Sequence, residues 1–465
     1  MTAPEPDTRI LMNIATKNRA RSSLTLWVAG FFCLCLQATA GAAIPIQQWT
    51  QTNGAQVYLV ESPAIAMLDV QIDFDAGTRR DPAAQAGLAS MTMTMLDKGL
   101  EARNGEPAMD ENALSEAWAD LGAQFGVSAT GERLGFSLRS LTDPELLDKA
   151  VALAARQIAE PSFPNAIWQR ERERMVASLK ESYTRPGSII ARAYAKAVYG
   201  THPYGYEVTE ATLARISVAD MRAFYSAGVA ACRARVSMVG AVTRAQADVI
   251  AARLLSRLPQ VACAGLPPLP EVAEVAPLAQ AEEKRIPFDS AQAHVLIGQP
   301  GFKRTDPDYF ALTIGNYILG GGGFVSRLTR EVREKRGLTY GVTSYFSPGL
   351  HAGSFTVSLQ TRPDQAGQAV KLAHEVVKDF VADGPTEAEL KAAKDNLIGG
   401  FALRIDSNRK LLDNIASIAW NKLPLDYLDT WTQQVDKVTV ADIKAAFARK
   451  LQPEKMVTVI LGAAP

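Results

Sequence analysis

The segment Ser217-Val218-Ala219-Asp220-Met221-Arg222-Ala223-Phe224-Tyr225 returns late in the chain as Thr439-Val440-Ala441-Asp442-Ile443-Lys444-Ala445-Ala446-Phe447. In each copy a hydroxyl residue opens an amphipathic helix, where its oxygen can accept from a free N–H of the first turn. A strand closing on glycine follows each helix, Val236–Gly240 and Val457–Gly462. A shared ending at matching places is the mark of duplication, so one architecture is expected twice. Between the copies, Gly265-Leu266-Pro267-Pro268-Leu269-Pro270 opens a stretch of Pro, Glu and Ala running to Lys284. Prolines fix φ and remove donors, which makes this an extended, semi-rigid connector. The expected plan is a first domain over 44–264, a linker over 265–284 and a second domain over 285–465, the two facing each other as a clamshell.

Local patterns give the fold class. Leu68, Val70, Ile72 and Phe74 alternate with Asp69, Gln71, Asp73 and Asp75. That is a strand with one buried face and one wet face. An apolar helix is expected from Ala84 to Leu96, another from Asp110 to Leu121, then strands at Gln124–Ala129 and Arg133–Ser140. Helices should dominate from Pro144 to Tyr183 and from Gly187 to Val198. This is α+β, an antiparallel-rich sheet packed with helices in each domain. The 465 residues leave room for two or more domains, and 47% hydrophobic with 21% charged residues is ordinary globular composition. A formal net charge of zero supplies no basic field to draw the chain to nucleic acid.

Residues 1–43 stand apart. Lys17, Arg19 and Arg21 precede an apolar run from Leu24 to Leu36, and Ala38, Ala40, Ala42 and Ala43 follow. This is the order of a secretory signal peptide, cleaved after Ala40 or Ala43. The run is short of the ~20 residues of a membrane span. A periplasmic or secreted protein with no stable span is expected; an uncleaved anchor is the lesser alternative, and Met12 is an alternative start. Cys33 and Cys35 would leave with the signal. Cys232 and Cys263 would remain where a disulfide can form, though spacing does not show whether they meet.

Residues 87–99 read Gly-Leu-Ala-Ser-Met-Thr-Met-Thr-Met-Leu-Asp-Lys-Gly. The segment resembles the zinc helix of the pitrilysin and insulinase peptidases, G-L-A-H-x-x-E-H-M-L-x-K-G, with its functional side chains replaced. Ser90 and Thr94 stand at the histidine positions and Met93 at the glutamate position. Such catalysis needs two imidazoles on one helix face, a carboxylate to activate water and a distant glutamate as third ligand. Ser90 and Thr94 offer weak neutral oxygens, and Met93 has no proton to exchange. Met91, Met93 and Met95 suit core packing. The helix expected to carry the third ligand in active relatives, Trp168–Tyr183, holds Glu171, Glu173 and Glu181. The four histidines, His202, His294, His351 and His374, are scattered, no two within one helical turn. His374-Glu375 begins like a zincin helix, but Lys378 occupies the second histidine position; His202, in Thr201-His202-Pro203-Tyr204-Gly205, suits a structural turn.

Ser326-Arg327-Leu328 and the run from Arg330 to Tyr340 are similar to the family's signature in its zinc-free half, S-R-L-x-x-x-L-R-E-x-x-G-L-x-Y. Arg333 should end a helix, Gly337 supply its left-handed stop, and Leu338 to Tyr345 begin a strand. An arginine fork and a phenol would suit a peptide carbonyl or carboxylate. The same residues would also make a solvated helix face and an ordinary strand tyrosine. The preceding four glycines lack the spacing of a phosphate loop.

The resemblance implies the non-catalytic subunit of a heterodimeric secreted zinc metallopeptidase. It would position peptide substrate through Arg333 and Tyr340, with no catalytic residue and no metal of its own. The zinc would sit on a homologous partner carrying H-x-x-E-H. The alternative is a structural or assembly core subunit of the same fold, without peptidase role.

Overall fold

The computed structural model describes residues 44–462, so the leader reading, with Met12, Cys33 and Cys35, lies outside the described residues. The first half runs β1 (Gln47–Thr50), β2 (Gln56–Glu61), β3 (Met67–Phe74), α1 (Leu88–Met95) and the short pair β4 (Gly99–Leu100) and β5 (Met109–Asp110). It continues through α2 (Glu111–Asp120), the hairpin β6 (Gln124–Ala129) and β7 (Leu134–Leu141), α3 (Pro144–Ala159), α4 (Asn165–Ser182), α5 (Pro186–Tyr199), α6 (Glu210–Ala214), α7 (Val218–Gly228), β8 (Arg235–Gly240) and α8 (Arg244–Leu255). The second half runs β9 (Glu282–Ile286), β10 (Ala293–Pro300), α9 (Tyr309–Asn316), β11 (Thr339–Phe346), β12 (Ser354–Thr361), α10 (Ala366–Asp383), α11 (Glu387–Gly399), α12 (Asn408–Asn421), α13 (Tyr427–Lys437), α14 (Val440–Lys450) and β13 (Val457–Leu461).

The duplication is written into the topology. The first sheet is ordered β1-β2-β8-β3-β7-β6 and the second β11-β12-β10-β13-β9. Set aside β1, and each sheet has its first strand parallel to its last, with the remaining neighbours antiparallel. Each half also opens its closing helix with the anticipated cap. Ser217 and Thr439 both form capping boxes, with Asp220 and Asp442 answering from the first turn.

The sheets are open, and the halves close on each other by exchanging helices. The face of β3 expected to be wet is covered: Asp69 and Asp73 are only 2% and 3% exposed. Helix α12, from the second half, lies over β8 and β3. Burial of those carboxylates is offset by Arg139, across the strand pair from Asp69, and by Arg133, in the turn before β7, on Asp73, each at 2.9 Å. Trp420 on α12 stacks under Arg133 and Arg235 at 5.3 and 4.8 Å. Reciprocally, α5 of the first half packs on β10 and β13 of the second sheet. The Tyr194 hydroxyl reaches the Phe355 carbonyl at 3.0 Å and Thr356 Oγ1 at 2.8 Å. Gly298 permits that approach, because a Cβ there would lie 2.0 Å from the Tyr194 hydroxyl.

Cys232 and Cys263 form a disulfide that fastens the start of the connector beside β8, across a sequence separation of 31 residues. Closing a loop of that size restricts the unfolded chain, so Cys232→Ser/Cys263→Ser should lose about 2–4 kcal/mol in urea unfolding. A variant within 0.5 kcal/mol of the parent would show the bridge to be thermodynamically idle.

Candidate functional site: a metal helix without ligands and an irregular edge strand

Helix α1 begins later than its apolar pattern suggests. Gly87 adopts a left-handed conformation (φ 103°) and the helix proper spans eight residues. Its N-terminus is capped from a distance by Asp81, which accepts from Gly87 N at 2.8 Å and Ala89 N at 2.9 Å. Burial raises the Asp81 carboxyl to about 6, against the pull of the Ala89, Gly87 and Leu88 amides. In the unfolded chain the value is 3.8, so folding takes up a proton between those limits. This contribution is complete below the unfolded value and is lost as pH rises through the folded one. It amounts to up to about 3 kcal/mol. Asp81→Asn should flatten the corresponding part of the melting temperature against pH between 4 and 6; equal slopes in parent and variant would contradict the assignment.

Leu88, Met91 and Met95 point into the first core. Ser90, Met93 and Thr94 lie on the half-exposed face. Met91 and Met95 pack as core methionines should, whereas Met93 is only partly buried against the cluster. The Thr94 hydroxyl is spent on the Ser90 carbonyl at 3.0 Å, the ordinary back-bond of a helical threonine. Helix α4 packs on α1 and carries Glu171, which is buried while Glu173 and Glu181 are exposed. Its carboxylate is held by Arg170 at 2.7 Å and Arg174 at 3.1 Å. Arg170 is itself clamped by Glu111. Two guanidinium groups thus supply the positive charge beside Glu171. The residues present do not fit a zinc ion: a spent hydroxyl, a serine, a thioether and an ion-paired carboxylate stand where a metal needs imidazoles and an open carboxylate. Among the described residues no three His, Cys, Asp or Glu side chains converge as a metal-holding group.

The second half presents a different surface. Ser326 is fully buried and bonds the Gly323 carbonyl and Thr329 Oγ1. Arg327 is structural, forking onto Glu389 at 2.8 and 2.6 Å. Burial works to raise Glu389, yet the Arg327 fork and the Thr386 cap hold it at about 2. The next turn is widened: Lys335 N bonds Arg330 O, a five-residue spacing, and Gly337 (φ 60°) stops the helix as anticipated. Strand β11 follows at the sheet edge, and its pairing with β12 slips between Thr339 and Val342. That bulge carries Tyr340, which is 86% exposed. Arg333 is half-buried, its guanidinium 4.7 Å from the centre of the Phe324 ring. Phe324 and Val325 are themselves 67% and 70% exposed. A wide helical turn and a bulged edge strand therefore set a guanidinium, a phenol and two exposed apolar side chains along one short stretch of chain.

Two of the histidines have structural partners. His202 Nδ1 accepts from Tyr204 N at 3.1 Å, the turn role expected of it. His374 shares a 2.8 Å bond with Thr458. The structure also brings the His202 and His351 rings to 5.2 Å, which their separation in sequence concealed.

Comparison with known proteins agrees with this geometry. Residues 56–212 match the family described as Insulinase (Peptidase family M16), and residues 215–397 match its Peptidase M16 inactive domain. A crystal structure of a peptidase M16 inactive domain from Pseudomonas fluorescens is 34% identical, covers 90% of this chain and 98% of its own, and superposes with a TM-score of 0.84. The periplasmic protease PqqL from Escherichia coli is 19% identical with a TM-score of 0.76; the likeness covers 90% of this chain and 45% of that one. A Helicobacter pylori relative named non-peptidase homolog YmxG is 25% identical over 404 residues, 84% of this chain and 89% of its own. Its two matched regions, its duplicated fold and its Pseudomonas relative place this chain in the M16 (insulinase) peptidase family.

Proposed function

We propose that this chain is the non-catalytic, substrate-positioning subunit of a two-chain M16 metallopeptidase, its partner a homologous chain with an intact H-x-x-E-H helix and the zinc. The observation that carries the reading is the contrast within one molecule: α1 offers no metal ligands, while the wide helical turn and the edge strand after it carry Arg333 and Tyr340. A charged fork and a phenol could hold a peptide carbonyl or carboxylate beside a metal supplied from outside. This chain spans 45% of the matched Escherichia coli protease, as expected if one such chain is half of a whole. Its substrates would be peptides or unfolded segments. A cleaved leader over 1–43 would deliver it to the periplasm, in keeping with the Cys232–Cys263 disulfide and with the periplasmic name of that relative. Among the described residues no helix is long and apolar enough to cross a membrane.

The test is reconstitution. The purified chain should cleave no peptide alone and do so when mixed with the zinc-bearing sister. Arg333→Ala and Tyr340→Phe should each lower kcat/KM of the mixture by about 10–100-fold, a loss of some 1.4–2.7 kcal/mol in transition-state binding. Melting temperature and the partner's zinc content should stay unchanged. Stoichiometric zinc and peptidase activity in this chain alone would overturn the proposal.

A further inference from the structure

A cavity of about 930 Å³ lies against the first half beneath residues 269–279 of the connector. Volumes of this order, mostly apolar with a few placed polar groups, are those of small-molecule sites. Its walls include Val198 from the end of α5, Phe224 from α7 and Leu278 from the connector. Its guanidinium groups come from the loop after β3. Arg79 donates to Asp75 Oδ1 at 2.6 Å and Arg80 to Asp75 Oδ2 at 2.6 Å. Two guanidinium groups therefore share one carboxylate. Arg79 is only 5% exposed, and its Nε–H has no acceptor among the described residues. The other lining carboxylates are committed or peripheral. Asp81 caps α1, Glu274 pairs with Lys303 and His351, and Glu271 is exposed. Among the described residues Asp75 is the only carboxylate within ion-pair reach of Arg79 and Arg80, both at low exposure, so a further anion beside them would be stabilised.

The roof is fastened. The disulfide holds Cys263, Arg233 donates to the Pro267 carbonyl, Arg80 to the Pro270 carbonyl, and Lys303 grips Glu274 at 2.6 Å. A connector tied at four places makes a standing wall, so the cavity is pre-formed.

We propose that this cavity binds a small amphipathic carboxylate, the acid against Arg79 and Arg80 and the apolar body along Val198, Phe224 and Leu278. The site goes beyond the peptidase reading and stands whether or not that reading holds. Two sources share this chemistry, a fatty acid and the C-terminus of a short apolar peptide.

Calorimetric titration of the purified chain with decanoate and with Leu-Leu-Phe bearing a free C-terminus tests it. At least one should bind with unit stoichiometry, and which one does identifies the source. Replacing the acid, with decan-1-ol or the peptide amide, should weaken binding at least tenfold. Arg80→Gln should do likewise, and Arg80→Lys should recover part of the loss. Ala276→Trp and Ala227→Trp, at exposed lining positions, should abolish binding without lowering the melting temperature. The proposal is overturned if neither acid binds at about 1 mM, the weak limit of useful affinity. It is equally overturned if acid and capped probes bind alike, or if the tryptophan variants bind as the parent does.

Discussion

Glu132→Ala should be among the most destabilising single changes in this chain, at about 3–5 kcal/mol in urea unfolding. Glu132 sits in the turn between β6 and β7, an ordinary hairpin position. Its carboxylate nevertheless accepts the Tyr204 hydroxyl, the Leu350 amide and, at 3.0 Å, Trp420 Nε1. These donors come from the turn after α5, from the loop before β12 and from α12. One side chain therefore closes the seam where the two halves exchange helices. Burial, and then the Glu132 carboxylate, push the Tyr204 phenol far above its usual range, so it stays a donor at any working pH. Alanine would strand three donors, each losing its share of a desolvated bond. Glu132→Gln keeps an acceptor oxygen but sets an N–H against a donor, so about half the loss should remain. Since each half keeps its own core, the missing energy should fall on the seam, and fluorescence of Trp420 should report unfolding before global circular dichroism does. A variant within 0.5 kcal/mol of the parent, with coincident transitions, would show that the seam is held elsewhere.

This seam explains what the sequence could and could not reveal. Period-two alternation in β3 correctly placed Leu68, Val70, Ile72 and Phe74 in the core. It also implied that Asp69 and Asp73 faced water, because charge on alternate positions usually does. Their partners Arg139 and Arg133 lie on β7 and in its approaching turn, and the cover is a helix more than 300 residues away in sequence. Nothing local announces a tertiary lid of that kind. Caps were legible because a hydroxyl and a carboxylate three apart act on the helix that contains them; Asp81 was not, because it caps α1 from outside.

Helix α1, which resembles the family's zinc helix, shows the same division. Its frame, Gly87 to Gly99, could be read directly, since the backbone and the core positions do not depend on the side chains at 90, 93 and 94. The counter-charges on Glu171 could not, because Arg170 and Arg174 look like routine surface residues on a highly charged helix. The disulfide likewise needed coordinates, since separation in sequence does not fix whether two Cβ atoms meet. At the other site, the residues from Ser326 to Tyr340 form a recognisable signature, yet it mixes roles. Arg327 and Ser326 turn inward to hold α11 and the glycine turn, and the bulge singles out Tyr340.

If α1 lacks only the side chains of a zinc helix, they can be supplied. Ser90→His/Met93→Glu/Thr94→His should acquire one zinc ion per chain, where the parent acquires none. Positions 90 and 94 share a helix face by their spacing, and α4 already packs on that helix with Glu171 buried. The obstacle is electrostatic. Zinc must displace Arg170 and Arg174 from the Glu171 carboxylate. Both can leave at modest cost, since Arg174 is largely exposed and Arg170 keeps its fork to Glu111. Free zinc at a hundredfold excess over the dissociation constant should then raise unfolding free energy by about 2.7 kcal/mol. Adding Arg174→Ala should tighten binding by freeing the carboxylate, whereas adding Glu171→Gln should weaken it by more than the roughly 10–100-fold typical of an outer-shell loss. Equilibrium dialysis with zinc analysis separates the cases. A folded triple variant that takes up no zinc would mean that α1 and α4 have drifted out of metal-binding register, so that the decay reaches the backbone as well as the side chains.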